Sequence, residues 1–119
     1  MHEHLLPRVY RSLRLLLLDG AVTGDGVAQH LSMHRRTLDR RLRELGTSFQ
    51  SVLDEVRFDI ARQLLAETQL PVTAIATTVG YSESSSFVRV FHRWTGTSPQ
   101  KWRLQQEASP PSPAMSTAA

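Results

Sequence analysis

At 119 residues with no cysteine, the chain has room for about one domain and excludes disulfide staples, thiolate nucleophiles and zinc sites built on sulfur. Fourteen Lys and Arg stand against eleven Asp and Glu, and every basic residue but Lys101 is an arginine. The arginine fork pairs with phosphate or a guanine edge, although a GC-rich genome gives the same bias. The longest apolar run, Leu15–Leu18, falls far short of the ~20 residues of a membrane span, and no leader pattern opens the chain. A soluble cytoplasmic protein with no membrane partner is expected.

Residues 5–19 set Leu5, Val9, Leu13, Leu16 and Leu17 at helical spacing, with Arg8, Arg11 and Arg14 on other faces, and Asp19-Gly20 stops the segment. Thr23 caps a short helix carrying Val27, Ala28 and Leu31. Ser32-Met33-His34 break the period before RRTLDRRLREL (35–45), where Leu38, Leu42 and Leu45 alternate with five arginines. Thr47 and Ser48 cap a long helix over roughly 49–67, whose stripe is Val52, Leu53, Val56, Ile60, Ala61, Leu64 and Leu65. Leu70-Pro71 ends it. Thr73 caps a helix with Ile75, Ala76 and Val79 on its inner face, and Gly80 closes it. After Tyr81-Ser82-Glu83 comes a helix with Phe87, Val90, Phe91 and Trp94, then a short one from Ser98-Pro99 to about 106 carrying Trp102. The proline-rich segment 107–119 is expected to be disordered. No stretch alternates with period two, so the expected fold class is all-α, with about seven helices.

The second half of this pattern restates the first. Ala28 to Ala76 is an offset of 48 and Gly46-Thr47-Ser48 to Gly96-Thr97-Ser98 an offset of 50, with Leu38 and Leu42 answered by Phe87 and Phe91. Two helix-turn-helix units (about 23–46 and 72–96) on a long linker helix (about 48–67) account for it. With Leu38 at zero, Leu42 and Leu45 fall within about 40°, while Arg36, Arg40 and Arg43 fall roughly 140–200° away. Ser85, Arg89 and His92 take the same angles from Phe87. The two helices therefore present matching outward rows, which a merely solvated face does not require. A helix fits the major groove of B-DNA, where Arg pairs with guanine and flanking groups hold phosphate.

Several residues admit more than one role. Arg35 and Arg41 lie nearer the core margin, where ion pairs compete with DNA contacts. Asp39 either accepts from cytosine N4 or orients Arg40 or Arg43. Ser85 and Ser86 read bases, touch phosphate or simply begin their helix. Arg57 is expected to form an ion pair between the two units, and Phe87, Phe91, Trp94 and Trp102 to be core rather than base-stacking groups. His30 and His34 straddle the turn with no third ligand, and His2-Glu3-His4 lies at a terminus, so no metal site is expected. Without a Gly-rich phosphate loop, a nucleophile elbow or a His/Glu cluster, neither catalysis nor a cofactor is expected.

The segments SMHRRTLDRRLRELGTSF, RFDIARQLL and VTAIATTVGYSESSSFVRVFHRWTGTSPQKWR, in this order and spacing, resemble the DNA-binding domain of AraC/XylS-type bacterial transcription regulators. The match runs from about Val27 to Arg103. The resemblance implies sequence-specific binding of double-stranded promoter DNA, with recognition helices in successive major-groove segments and RNA polymerase as a further partner. It puts base reading on Arg36, Asp39, Arg40 and Arg43, with Thr37 among the DNA-contacting residues, and on Ser85, Ser86 and Arg89, with His92 near a phosphate. His92 departs from the commoner Lys or Arg. Family members carry a sensing or dimerising domain ahead of this one, and nothing of that size precedes Leu5, so a C-terminal portion of a longer regulator is expected, its effector domain lying elsewhere. The competing reading is a helical protein-interaction module whose arginines meet an acidic protein surface of the transcription machinery.

Overall fold

The computed structural model describes residues 4–18 and 22–108. These form seven helices: α1 (Leu5–Leu18), α2 (Gly24–His30), α3 (Arg35–Glu44), α4 (Phe49–Glu67), α5 (Val72–Thr78), α6 (Ser84–Thr95) and α7 (Pro99–Ala108). Among the described residues the fold is all-α. The expected stop at Asp19-Gly20, His2-Glu3 and the tail from residue 109 lie outside the described residues. Glu107 and Ala108, assigned to the tail from composition, belong to α7.

The helix starts follow local chemistry. Thr23 Oγ1 accepts from the Gly26 N–H at 2.9 Å, and Ser48 Oγ from the Ser51 N–H at 3.1 Å. Ser98 Oγ accepts from the Lys101 N–H at 3.2 Å, so Pro99 takes a first helical position where its missing N–H costs nothing. Thr73 does not cap α5: Pro71 occupies that place without a side-chain bond, and Thr73 lies inside the helix, its carbonyl accepting from the Thr77 hydroxyl. The ring of Pro71 fixes φ at −62°, a value the helix shares, while its ψ of 151° keeps this cap residue extended just ahead of the helix.

The core is split. Leu5, Val9, Leu13 and Leu17 of α1 pack with Val27, Ala28, Leu31, Leu38, Leu42 and the first half of α4 through Val52, Leu53 and Val56. Ala61 and Leu65 in the second half of α4 pack with Ile75, Ala76, Val79, Phe87 and Phe91. Ile60 touches both clusters, which makes α4 the shared wall. Phe58 joins the second cluster, its ring 5.2 Å from Trp94 and 6.0 Å from Phe91. Phe87 and Phe91 are core as expected, and Trp94 and Trp102 pack against them half-buried. Leu45 does not join the core: α3 ends at Glu44, and Leu45, carried past the last helical turn, is 53% exposed.

Both inter-helix turns use the same backbone device. Ser32 N–H donates to Gln29 O and Met33 N–H to Ala28 O; Gly80 N–H donates to Thr77 O and Tyr81 N–H to Ala76 O, at 2.9–3.0 Å throughout. Ser32 and Gly80 accordingly hold positive φ, 57° and 98°. The units are thus equivalent in hydrogen bonding as well as in apolar pattern.

Two further contacts fasten the bundle. Arg103, 8% exposed, donates from Nε to Leu65 O at 3.1 Å and so ties α7 to the last turn of α4, where a cation also meets the negative end of the helix dipole. Tyr10 donates its hydroxyl to Glu55, joining α1 to α4, and this bond, followed by burial, pushes the phenol up to about 12. The protonated phenol is the form favoured by folding, so its contribution is complete below pH 10 and disappears as pH rises through about 12. Tyr10→Phe should remove that alkaline loss of stability, seen as a flatter melting temperature against pH across this window.

Glycine is required unequally. Gly46 holds φ 81° with open space where a Cβ would stand, whereas a Cβ on Gly80 would lie 3.2 Å from Arg57 Nη2. Gly46→Ala should cost about 1–2 kcal/mol from the left-handed backbone alone. Gly80→Ala should cost more in urea denaturation, because the Arg57 guanidinium must also move.

Candidate nucleic-acid interface

The outward row of α3 is built by phase. Leu38 and Leu42 are fully buried, which fixes the rotation of the helix about its axis. Arg36, Arg40 and Arg43 are consequently exposed, with Thr37 and Asp39 half-exposed at the edges of the row. Arg36 and Arg43 make no ion pair with any described residue, and Arg40 has only Glu44 at 3.5 Å, a pair of two well-exposed groups that contributes little. These cations are available to a ligand.

On α6, Phe87 and Phe91 fix the phase in the same way. Ser85, Arg89 and His92 are exposed and Ser86 is half-exposed. Ser86, Arg89, His92 and Arg93 line one shallow concavity with Val90. Helix α6 begins at Ser84 with Glu83 at its cap position and no side-chain cap bond, so Ser85 and Ser86 are not spent in capping. Arg93, exposed in the last turn four residues after Arg89, was not singled out in the sequence. Its spacing was the available signal, obscured because it falls beside the matched row rather than in it.

The five arginines of α3 separate into different classes. Arg35 lies flat against Gly24, its guanidinium carbon 5.2 Å from the centre of the Phe49 ring. It also reaches Asp25 at 3.6 Å and Asp39 at 3.1 Å. It therefore joins α2, α3 and the start of α4. Asp39 is engaged by Arg35, four residues before it, rather than by Arg40 or Arg43; Arg35 is already held in place against Gly24 and Phe49. Arg41 is exposed and forms no ion pair among the described residues.

Arg57 departs from expectation. It forms no ion pair with a described residue: its guanidinium lies over the Tyr81 ring, 5.0 Å from the centre, and against Gly80. Its Nε is buried without a hydrogen-bond partner. Burial pushes the Tyr81 phenol up, opposed by the neighbouring Arg57 charge. Arg57 still links the linker helix to the second turn, through a cation over a ring instead of a carboxylate. His30 is likewise engaged, its Nδ1 bonding the Ser12 hydroxyl between α1 and α2.

The paired units, joined by one helix and each turning a polar row outward, define a double helix-turn-helix domain. A helix-turn-helix domain family model matches residues 27–105. An ornithine utilization regulator of Pseudomonas aeruginosa is 44% identical over 108 residues, covering 87% of this chain and 30% of its own length. The chain thus spans less than a third of that relative. A Chromobacterium violaceum transcriptional regulator described as containing an AraC-type DNA-binding domain superposes with a TM-score of 0.73 at 27% identity, over 88% of this chain and 96% of that one. The DNA-binding domain of AdpA, solved in complex with a target DNA, gives 0.70 at 27% identity, over 85% and 94%. The chain belongs to the AraC-type family of helix-turn-helix transcription regulators.

The two classes of arginine are separable by stability. Arg35→Ala should destabilise the domain by about 1–2 kcal/mol, since it loses packing and ion pairs together. Arg36→Ala should stay within about 0.5 kcal/mol of the parent in the same urea titration.

Proposed function

We propose that this chain binds double-stranded promoter DNA sequence-specifically, as the DNA-binding part of a transcription regulator, by setting α3 and α6 into successive major-groove segments. The observation that carries this reading is the pair of phase-matched outward rows, in which Arg36, Arg43 and Arg89 have no ion partner among the described residues. A helical face stabilised only by itself would pair such charges with acids three or four residues away, as Arg35 does.

Arg36, Arg40 and Arg43 read bases from α3, flanked by Thr37 and Asp39, and Ser85, Ser86 and Arg89 read from α6. His92 and Arg93 meet phosphate. Capture is electrostatic and discrimination comes from groove contacts, without chemistry, metal or cofactor. RNA polymerase is the second partner in this reading, and the bacterial cytoplasm, where the chromosome lies, is the place of action. Effector sensing and dimerisation, where a longer regulator carries them, fall outside these helices.

Selection of duplexes from a random library, followed by affinity measurement at physiological salt, tests the reading. Arg40→Ala and Arg89→Ala should each cost about 1–3 kcal/mol on the selected duplex and relax preference at one base pair. Unchanged binding by both variants would remove them as readers. Binding that survives excess duplex and ignores salt would favour an acidic protein partner instead.

A further inference from the structure

Val88 is the large apolar side chain exposed on α6, at 36%, while Phe87 beside it is fully buried. A β-branched residue lowers helix propensity, and with 36% of its surface open Val88 recovers only part of what a core position would return. Lone apolar side chains are common on protein surfaces, so a functional reason for this one has to come from its place on the helix.

The internal repeat supplies one. Leu38 to Phe87 is an offset of 49, and the same offset carries Asp39 to Val88. Both stand about 100° from their buried neighbour, on the flank of the outward row. In the first unit this position holds a carboxylate kept by Arg35, four residues earlier, at 3.1 Å. Four residues before Val88 stands Ser84, which brings no charge, and the position carries an isopropyl group instead.

We infer that Val88 is a specificity-determining residue that packs against the C5 methyl of a thymine in the major groove, next to the base pair met by Arg89. This rests on the DNA-binding reading above. The thymine methyl is the apolar feature among the major-groove edges of the four bases. An isopropyl group gains by covering it, and over a cytosine it would cover the N4 amino group without accepting its hydrogen bond. Val88 thus favours thymine by contact and disfavours cytosine by desolvation.

The test begins with the duplex selected from a random library. Each thymine facing α6 is replaced singly by deoxyuridine, which lacks only the methyl, and affinity is measured by fluorescence anisotropy for the parent and for Val88→Ala. One uridine should weaken the parent about fourfold, the factor for one methyl-sized group returned to water. The same uridine should leave Val88→Ala unchanged. The inference is overturned if no thymine in that half-site is sensitive, if none is selected there, or if Val88→Ala keeps the loss. A selection that enriches no sequence overturns the DNA-binding reading itself, and is distinguished because it fails before any uridine duplex is made.

Discussion

The burial of α4 from both ends is the constraint on which the other arrangements rest. Its first half closes a core with α1, α2 and α3, its second half another with α5, α6 and α7, and Ile60 belongs to both. Each cluster is small for a free-standing domain, so each unit depends on the wall it shares. Nineteen helical residues, about 28 Å long, therefore set the relation between the two outward rows as a mechanical consequence of core formation. Arg57, over Tyr81 and against Gly80, adds a strut between this helix and the second turn.

Within each unit, the turn transmits the core to the surface. The repeated hydrogen bonds at Ser32-Met33 and Gly80-Tyr81 fix how the second helix leaves the first, and the buried pairs Leu38/Leu42 and Phe87/Phe91 fix its rotation. What remains for the outward positions is chemistry free of folding duty. This is why Arg36 and Arg89 have no ion partner among the described residues, whereas Arg35, a single residue from Arg36, is held in a packed network.

Much of this was legible in the sequence because it depends on period. The seven helices, the duplication and the rows of exposed residues all follow from apolar spacing at 3.6 residues per turn. The misses arise where period stops being informative. Leu45 has the right phase but lies past the end of α3, and Glu107-Ala108, both good helix formers, continue α7 up to the proline-rich stretch with which they were grouped. Arg57 is expected to form an ion pair between the units, yet its partner is an aromatic ring brought from twenty-four positions away, a choice that only the folded chain displays. Asp39 had three arginines within reach along its helix, and the one that engages it is the one already anchored on Gly24 and Phe49.

The equivalence of the two units in backbone makes their chemical inequality meaningful. At matched angles one row carries Arg36, Arg40 and Arg43, the other Ser85, Arg89 and His92. Attraction to phosphate scales with the number of cations and ignores sequence, so under the proposed function the first helix supplies the larger share of salt-dependent capture. Short side chains such as Ser85 and Val88 act only when the helix backbone comes close to the base edges, so α6 depends more on correct seating than α3 does. That seating is governed by α4 and the Arg57 strut. Substitutions that loosen either would then be felt first as lost discrimination by the second unit, before any general loss of affinity for DNA.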